Sequence, residues 1–174
     1  DRSGLMWFST FGDGVYSYNG KSFRHYSAES DGLVNNWIRS ATQDSDGNLW
    51  FASKFGISRF DGRHFVRFTE AEGMPLENTN LVFEDKERNL WIGTDGKGLS
   101  KFLGETFTNF TIEDGLSSNL VMSVLEDRNE NLWFSTFDKG ITVRGQGRIR
   151  NYTTDDGLAN NSIWASLRDR NVSN

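Results

Sequence analysis

Acidic side chains in short turns are the first residues in this sequence whose spacing could support chemistry. Asp44, Asp46 and Asn48 place oxygen atoms at alternate positions, as in half of a calcium-binding loop. The corresponding turns from Asp85 and Asp127 lack the glycine of the first turn, and none ends in a glutamate placed to chelate calcium. The pattern therefore favours a structural acidic turn, similar to a sialidase Asp-box, over a metal site.

Histidine and cysteine offer little further chemistry. His25 and His64 occupy different positions of a pattern that repeats along the chain, and neither fits a Ser-His-Asp order or a metal-ligand spacing. The chain has no cysteine, which excludes thiol nucleophiles, thiolate zinc sites and disulfides. No acid–base pair breaks the repeated pattern. The sequence therefore predicts a protein that is not an enzyme and uses no metal or cofactor.

Charged and aromatic residues at loop tips are the candidate ligand-binding groups. In the fold that the repeats predict, these loops share one face with the start of an inner strand. Such side chains can hold sugar hydroxyls or acidic substituents, although charged loop tips are also typical of a solvated surface. The predicted ligand-binding residues are Trp37, Arg39, Lys54, Phe55, Asp95, Lys97, Phe137, Lys139 and Trp164.

These residues recur because the chain consists of four copies of one unit. A Leu-Trp or Met-Trp pair returns about every 42 residues, and an Asp-Gly-Leu turn returns in phase with it. The predicted units span approximately 5–48, 49–89, 90–131 and 132–174. The tryptophan of the marker lies in the most strand-like stretch of each unit, which favours packing in the core. The predicted core tryptophans are Trp7, Trp50, Trp91 and Trp133.

Within each unit the apolar pattern has a period of two, which indicates β-strands. Short aromatic and β-branched runs alternate with turns rich in Gly, Asp and Asn. The Asp-Gly-Leu stretches are interpreted as turns in which glycine supplies a positive φ and aspartate caps the turn. Four strands in about 42 residues form the pattern of a propeller blade. The predicted fold is all-β, a β-propeller segment of four-stranded antiparallel blades without linkers.

Composition agrees with a folded domain and disfavours two classes of partner. The chain has 174 residues, of which 36% are hydrophobic and 14% aromatic. Its net charge of −5 makes a general nucleic-acid role improbable, because such domains show a basic face. The sequence contains no apolar run long enough to span a membrane, so no membrane contact is predicted.

The phase of the repeats predicts a blade that is split between the ends of this sequence. The chain begins with the second strand of a blade, around Trp7, and ends with a first strand, Asn161 to Asp169. Both strands carry unpaired backbone groups unless a partner closes the ring. The sequence predicts a homodimer that closes an eight-bladed ring, or further blades of a parent chain. Closure as a four-bladed monomer is the alternative.

The order of motifs resembles the two-component regulator propeller repeat. The motifs are Asp-x-x-Gly-Asn-Leu-Trp-Phe from Asp44, then Gly-Ile or Gly-Leu, Asp-Gly-x-x-Phe from Asp61, and Asp-Gly-Leu. The second unit departs from the pattern at Glu72-Gly73-Met74-Pro75 and Glu77, and the fourth departs at Val143-Arg144-Gly145-Gln146. The resemblance implies a propeller in the periplasmic sensor region of a bacterial hybrid two-component histidine kinase. Many such sensors respond to carbohydrates.

Three functions are compatible with these observations. The first is a non-catalytic ligand-sensing or scaffold segment of a bacterial signalling receptor, with an oligosaccharide as its possible ligand. The second is a stand-alone lectin-like or protein-interaction propeller, which a downstream histidine kinase in the flanking gene sequence would exclude. The third, a propeller lyase or hydrolase, needs an acid–base pair on one face that the sequence does not offer.

Overall fold

Fifteen short strands make up the β-structure of residues 1–74, 78–145 and 147–167, which this computed structural model describes. The short length and the glycine-rich turns between the strands follow from the alternating sequence pattern. The strands are β1 Met6–Ser9, β2 Val15–Tyr18, β3 Phe23–Tyr26, β4 Ile38–Gln43, β5 Leu49–Ser53, β6 Gly56–Phe60, β7 Phe65–Phe68, β8 Thr79–Glu84, β9 Leu90–Thr94, β10 Leu99–Phe102, β11 Phe107–Phe110, β12 Val121–Glu126, β13 Leu132–Thr136, β14 Ile141–Gly145 and β15 Arg148–Tyr152.

The strands form four antiparallel sheets in sequence order. Sheet 1 contains β1–β3, sheet 2 contains β4–β7, sheet 3 contains β8–β11 and sheet 4 contains β12–β15. The first strands of sheets 2, 3 and 4 are the inner strands, and β8 lies beside both β4 and β12. The all-β prediction with four-stranded antiparallel sheets is therefore confirmed for sheets 2 to 4.

Sheet 1 has three strands, whose pairing matches that of the second, third and fourth strands of sheet 2. The described residues form no closed ring of sheets. The predicted final strand differs from the structure: residues 161–167 form no strand, and Asp169 lies outside the described residues. A strand needs a ladder of backbone hydrogen bonds to a paired strand, and no described strand pairs with this segment in that way.

Other expectations stay predictions. The sequence departures at Pro75, Glu77 and Gln146 lie outside the described residues. The unit boundaries are likewise a prediction from sequence. In the part of the chain that the structure describes, no helix is long and apolar enough to cross a membrane.

Short 3₁₀ turns follow the outer strands of sheets 2, 3 and 4. They span Glu70–Glu72, Ile112–Asp114 and Thr154–Asp156, and each has a capping box. The Asp-Gly-Leu interpretation is confirmed at Asp114, whose carboxylate accepts from the Thr111 amide at 2.9 Å. The following Gly115 has a φ of 100°, a left-handed conformation that favours glycine.

The apolar cores lie at the seams between neighbouring sheets. Trp50 of sheet 2 packs with Val82, Ile92 and Phe102 of sheet 3. Of the four predicted core tryptophans, Trp50 and Trp91 are 2% and 1% exposed. Trp7 and Trp133, in sheets 1 and 4, are half-buried. Burial of aromatic area at the seams holds consecutive sheets face to face.

Each tryptophan is tied to the acidic turn that precedes its strand. The indole nitrogens donate to aspartate six residues earlier: Trp7 to Asp1, Trp50 to Asp44 and Trp91 to Asp85 at 2.7 Å, and Trp133 to Asp127 at 2.9 Å. The Asp44 carboxylate also accepts from the backbone and side chain of Asn48, both at 2.8 Å. The aspartate carboxylates thus accept hydrogen bonds from groups of their own chain, so the interpretation of the acidic turns as structural is confirmed. Among the described residues, no group of three or more His, Asp or Glu side chains could hold a metal.

Acid should destabilise the fold through these turns. Burial raises the pKa of Asp44, but hydrogen bonds from Trp50 and Asn48 outweigh it and leave the pKa below its usual value. The pKa of Asp127 is lowered in the same way. A carboxyl group with a lowered folded-state pKa stabilises the fold above its unfolded pKa. That stability is lost as the pH falls through the folded-state pKa.

Urea unfolding at a series of pH values tests this expectation. The free energy of unfolding should hold near neutral pH and fall below roughly pH 5, where unfolded aspartate begins to protonate. Asp44→Asn should lower stability at pH 7 and weaken the acid dependence, because asparagine does not titrate. Parallel pH curves for the native chain and the variant would contradict this role of Asp44.

Candidate functional site

One residue bulges out of the start of each inner strand. The pairing register shifts between Ile38 and Ser40, and at the same place in the next two inner strands. A bulge redirects the extra side chain away from the regular sheet. The residues at these shifts are Arg39, Asn80 and Met122.

Trp164 holds the corresponding place after sheet 4. The amide of Ile163 donates to the Thr136 carbonyl at 2.9 Å, as the Ile38 amide donates to the Thr10 carbonyl at 3.0 Å. The residue that follows Ile163 is therefore the counterpart of Arg39, although residues 161–167 are not paired as a strand. These four residues are called the bulge set: Arg39, Asn80, Met122 and Trp164.

The bulge set lines one shared cavity of about 600 Å³. Its other lining residues come from the loops that follow β1, β9 and β13 and from the residue just before β12. They are Phe11, Asp95, Leu120 and Phe137. A concave site with a few polar groups among apolar side chains is typical of a ligand-binding site.

The polar side of the cavity is organised around Arg39. Its guanidinium donates to the Asn80 side-chain oxygen and lies 3.7 Å from an Asp95 carboxylate oxygen. The Asn80 side-chain nitrogen in turn donates to the Val121 carbonyl at 3.0 Å. The network fixes a cation, an amide and a carboxylate together, and so offers both donors and acceptors to a ligand.

Aromatic rings of Phe11, Phe137 and Trp164 also line the cavity. Phe137 and Trp164 meet edge to face with ring centres 5.0 Å apart, and the Trp164 residue is 65% exposed. Phe11 packs on Trp37 with ring centres 4.2 Å apart. Large exposed aromatics at a cavity mouth provide apolar area for a ligand face to stack on.

The predicted site residues divide into two groups. Arg39, Asp95, Phe137 and Trp164 meet in the cavity, and Trp37 lies behind Phe11. The remaining four occupy exposed loop tips and do not line it: Lys54, Phe55, Lys97 and Lys139. The ammonium of Lys54 covers the ring of its neighbour Phe55, 4.9 Å from the ring centre.

The predicted set omits Phe11, Asn80, Leu120 and Met122, all of which line the cavity. Asn80 and Met122 stand one and two repeats after Arg39 in the same slot of the inner strand. Following that slot through every unit would have found them, even though their side chains share no chemical type. Phe11 stands in the same loop position as Asp95 and Phe137.

A second cluster that the sequence did not suggest joins Asp13, Tyr16 and His25 on sheet 1. The Tyr16 hydroxyl bonds the Asp13 carboxylate, and His25 stacks on the Tyr16 ring with centres 4.6 Å apart. The hydrogen bond to Asp13 raises the pKa of Tyr16, which keeps the phenol protonated and makes it a poorer acid. Asp13 and His25 are exposed, Tyr16 is half-buried, and none of the three lines the cavity.

Comparison with known proteins identifies the repeat. The family model described as Two component regulator propeller matches residues 32–55 and 115–138. Both matches include the end of an inter-sheet connection, an inner strand, an acidic turn and the following tryptophan strand. No curated protein matches the sequence.

Solved structures share the fold. An extracellular domain assigned to a hybrid two-component system of B. thetaiotaomicron matches at TM-score 0.85 and 23% identity, over 98% of this chain and 25% of that chain. A second such domain from the same organism gives 0.78 and 20%, over 96% and 24%. Virginiamycin B lyase from Staphylococcus aureus gives 0.68 and 18%, over 86% and 52%.

The chain therefore spans about a quarter of the length of the first two structures. At sequence identities below 25%, these matches show only that the folds are similar. The family prediction rests on the sequence motifs together with the matching model, and both agree. The prediction is confirmed for the two matched stretches: residues 32–55 and 115–138 match the two-component regulator propeller repeat.

Proposed function

We propose that this chain is a ligand-sensing segment of a bacterial two-component signalling receptor, located outside the cytoplasm and without catalysis. Its four sheets are blades of a β-propeller. Ligand binding at the cavity changes how the blades pack, and the change passes to a downstream domain. The family match and the extracellular sensor domains of similar fold support the proposal.

The observation that carries the proposal is the chemical variety of the bulge set. The scaffold around it is repetitive, with the same acidic turn and tryptophan in every unit. In contrast, the bulge slot holds a cation, an amide, a thioether and an indole in turn. A slot that served the scaffold alone would keep one chemical type. Variety at a fixed slot facing a cavity fits recognition of a ligand that is not itself repetitive.

An oligosaccharide fits the arrangement. Trp164 and Phe137 offer aromatic area to the apolar face of a sugar ring. Arg39, Asn80 and Asp95 offer donors and acceptors that can pair with hydroxyl groups. The cavity of about 600 Å³ is large enough for more than one ring.

Replacing Trp164 by alanine should weaken binding of a glycan by at least about 10-fold, or about 1.4 kcal/mol. The reason is the loss of an exposed ring that the ligand covers. A glycan array with the chain first selects the ligand, and calorimetry then measures the affinity of each variant. Arg39→Ala should weaken glycan binding to a similar extent, because it removes the guanidinium that donates hydrogen bonds on the polar side of the cavity.

Leu103→Ala is the matched control, because Leu103 is also exposed but lies at the opposite end of the strands. Its affinity should equal that of the native chain. Chemical-shift mapping should place the glycan against Arg39 and Trp164. Perturbations confined to the turns around Asp46 and Gly104 would refute the site.

The stand-alone lectin-like or interaction propeller uses the same cavity and differs only in the domains attached to it. A histidine kinase encoded downstream decides for the receptor. The lyase of similar fold is related at 18% identity and adds no evidence for an enzyme. Loss of the glycan signal with appearance of a cleaved product on incubation would decide against the non-catalytic proposal.

A further inference from the structure

A second pocket lies at the seam between sheets 2 and 3, at the opposite end of the strands from the cavity. Its volume is about 470 Å³, and it shares no lining residue with the cavity. Sheet 2 contributes the turn after β4, Trp50 and Arg59, and sheet 3 contributes the end of β8, the turn that follows it and the turn after β10. Both sheets are complete, and each packs on a further sheet on its other side. This site, called the seam pocket, therefore belongs to an interior seam of the array.

The carboxylates of the seam pocket are already engaged by groups of the chain. Asp44 belongs to the tryptophan turn described above. Asp46 pairs with the guanidinium of Arg88, which also donates to the Ser45 hydroxyl at 2.9 Å. Glu84 accepts from the Ser45 amide at 2.7 Å and from its hydroxyl at 2.8 Å. These acidic groups therefore join the two sheets rather than wait for a ligand.

Arg59 has no such partner in the part of the chain that the structure describes. Its Nε–H is buried without an acceptor, and the side chain takes part in no ion pair. Its Cζ lies 5.9 Å from the Trp50 ring centre. A guanidinium carries five N–H donors, and a buried donor without an acceptor lowers stability. An orphaned group of this kind indicates an acceptor that comes from outside the chain.

The fold itself does not require a cation at this position. One residue pairs with the marker tryptophan in the second and third strands of each blade, and these residues are Ser17, Arg59, Lys101 and Val143. A hydroxyl and an aliphatic side chain thus hold the slot in sheets 1 and 4, with the same antiparallel pairing. The guanidinium is therefore a feature of the seam pocket and not of the scaffold.

The rest of the lining shows what accompanies the charge. Leu90, Phe102 and Leu103 line the pocket, the first two buried and Leu103 55% exposed. A carboxylate matches the planar fork of a guanidinium with two parallel hydrogen bonds. An exposed leucine gives an apolar group a surface to cover. A pocket of about 470 Å³ has the size of a small-molecule site.

We propose that the seam pocket is a second ligand-binding site, which takes a small organic carboxylate with an apolar body. The carboxylate accepts from the Arg59 guanidinium, and the apolar body lies against Leu103. Because Arg59 belongs to sheet 2 and Leu103 follows a strand of sheet 3, the bound ligand holds this seam together. The site is separate from the cavity and does not depend on the glycan proposed to bind there.

Titration of the 174-residue chain with benzoate tests the site by nuclear magnetic resonance at constant ionic strength. The Arg59 Nε–H signal and the backbone amides of Leu103 and Gly104 should shift together and saturate. Arg59→Met should weaken the affinity reported by the two amides at least about 10-fold, because charge-assisted hydrogen bonds are lost. Lys101→Met is the matched control, since it removes a cation from the same slot of sheet 3. This variant should keep the native benzoate affinity at Arg59.

The thermal unfolding midpoint supplies a second readout. Benzoate should raise it for the native chain and for Lys101→Met, because a ligand that binds the folded state stabilises it. The midpoint of Arg59→Met should not respond over the same range of concentrations. Shifts of equal size and affinity in Arg59→Met, or no saturable shift in the native chain, would overturn the proposal.

Two further titrations test the class of ligand. Benzyl alcohol keeps the ring of benzoate without its charge, and sulfate keeps a charge without the ring. Each should bind the seam pocket at least about 10-fold more weakly than benzoate. Benzyl alcohol as tight as benzoate would show that Arg59 does not bind the carboxylate. Sulfate as tight as benzoate would show that the apolar lining plays no part, and either result would overturn the assigned class.

Discussion

Replacing Trp91 by alanine should lower the free energy of unfolding by about 3–5 kcal/mol, as expected for a large aromatic removed from a close-packed core. Trp91 is 1% exposed and lies at the seam between sheets 3 and 4. Its ring contacts Phe110 and Phe134, with centres 5.6 Å and 5.8 Å away. The cavity left by alanine cannot collapse easily, because strands on both sides hold its walls.

The substitution also removes a hydrogen bond. The indole nitrogen donates to Asp85 at 2.7 Å, and Asp85 is itself buried. The guanidinium of Arg144 lies 5.7 Å from the Trp91 ring centre and loses that cation–π partner. Packing supplies the larger share of the loss. The lost hydrogen bond adds less, because the Asp85 carboxylate keeps its hydrogen bonds from Asn89.

Urea denaturation at one fixed protein concentration measures the change, because self-association would otherwise alter apparent stability. Trp164→Ala is the matched control: it removes the same side chain from a position that is 65% exposed. Its effect should stay within about 0.5 kcal/mol, as for surface substitutions. A loss below about 1 kcal/mol for Trp91→Ala would show that the seam does not depend on this residue.

Repetition explains why so much of the fold could be predicted. Each repeated motif has a local physical reason. The tryptophan packs its ring at a seam, the aspartate of the acidic turn accepts hydrogen bonds from its own chain, and the glycine of the Asp-Gly-Leu turn adopts a left-handed conformation. The prediction of a final strand was wrong over residues 161–167, because a strand does not depend on local sequence alone. Residues 161–167 have the pattern of an inner strand, but strand geometry requires a neighbour that sequence pattern does not supply.

The cavity was only partly predictable. Arg39 and Trp164 stand out as unusual residues near a loop face, whereas Asn80 and Met122 look ordinary in sequence. The register shift that turns them into the cavity depends on pairing between strands, which local pattern does not encode. The predicted lysines were favoured for their charge. Their backbones lie on the predicted loops, but long exposed side chains stay with solvent. They are Lys54, Lys97 and Lys139.

Gly98→Ala should destabilise the chain on the order of 3 kcal/mol and should also disturb the cavity. Gly98 has a φ of 80°, and a left-handed alanine costs about 1–2 kcal/mol. A Cβ there would also lie 2.2 Å from the Phe110 carbonyl oxygen, so β10 and β11 would have to separate. The same glycine donates to the Asn119 carbonyl at 2.9 Å, which fixes the loop carrying Asp95.

Gly104→Ala separates the cost of the left-handed backbone from the cost of the steric clash. Gly104 has a φ of 86°, and no atom lies within 4 Å of the place that an alanine methyl group would take, so alanine there meets backbone strain alone. Urea unfolding should give a loss of about 1–2 kcal/mol for Gly104→Ala and a clearly larger one for Gly98→Ala. Glycan affinity should fall for Gly98→Ala only, because displacement of Asp95 removes the carboxylate that lies beside Arg39. Equal losses of stability in the two variants would mean that the hairpin yields to the extra methyl group and that Gly98 does not hold the cavity in shape.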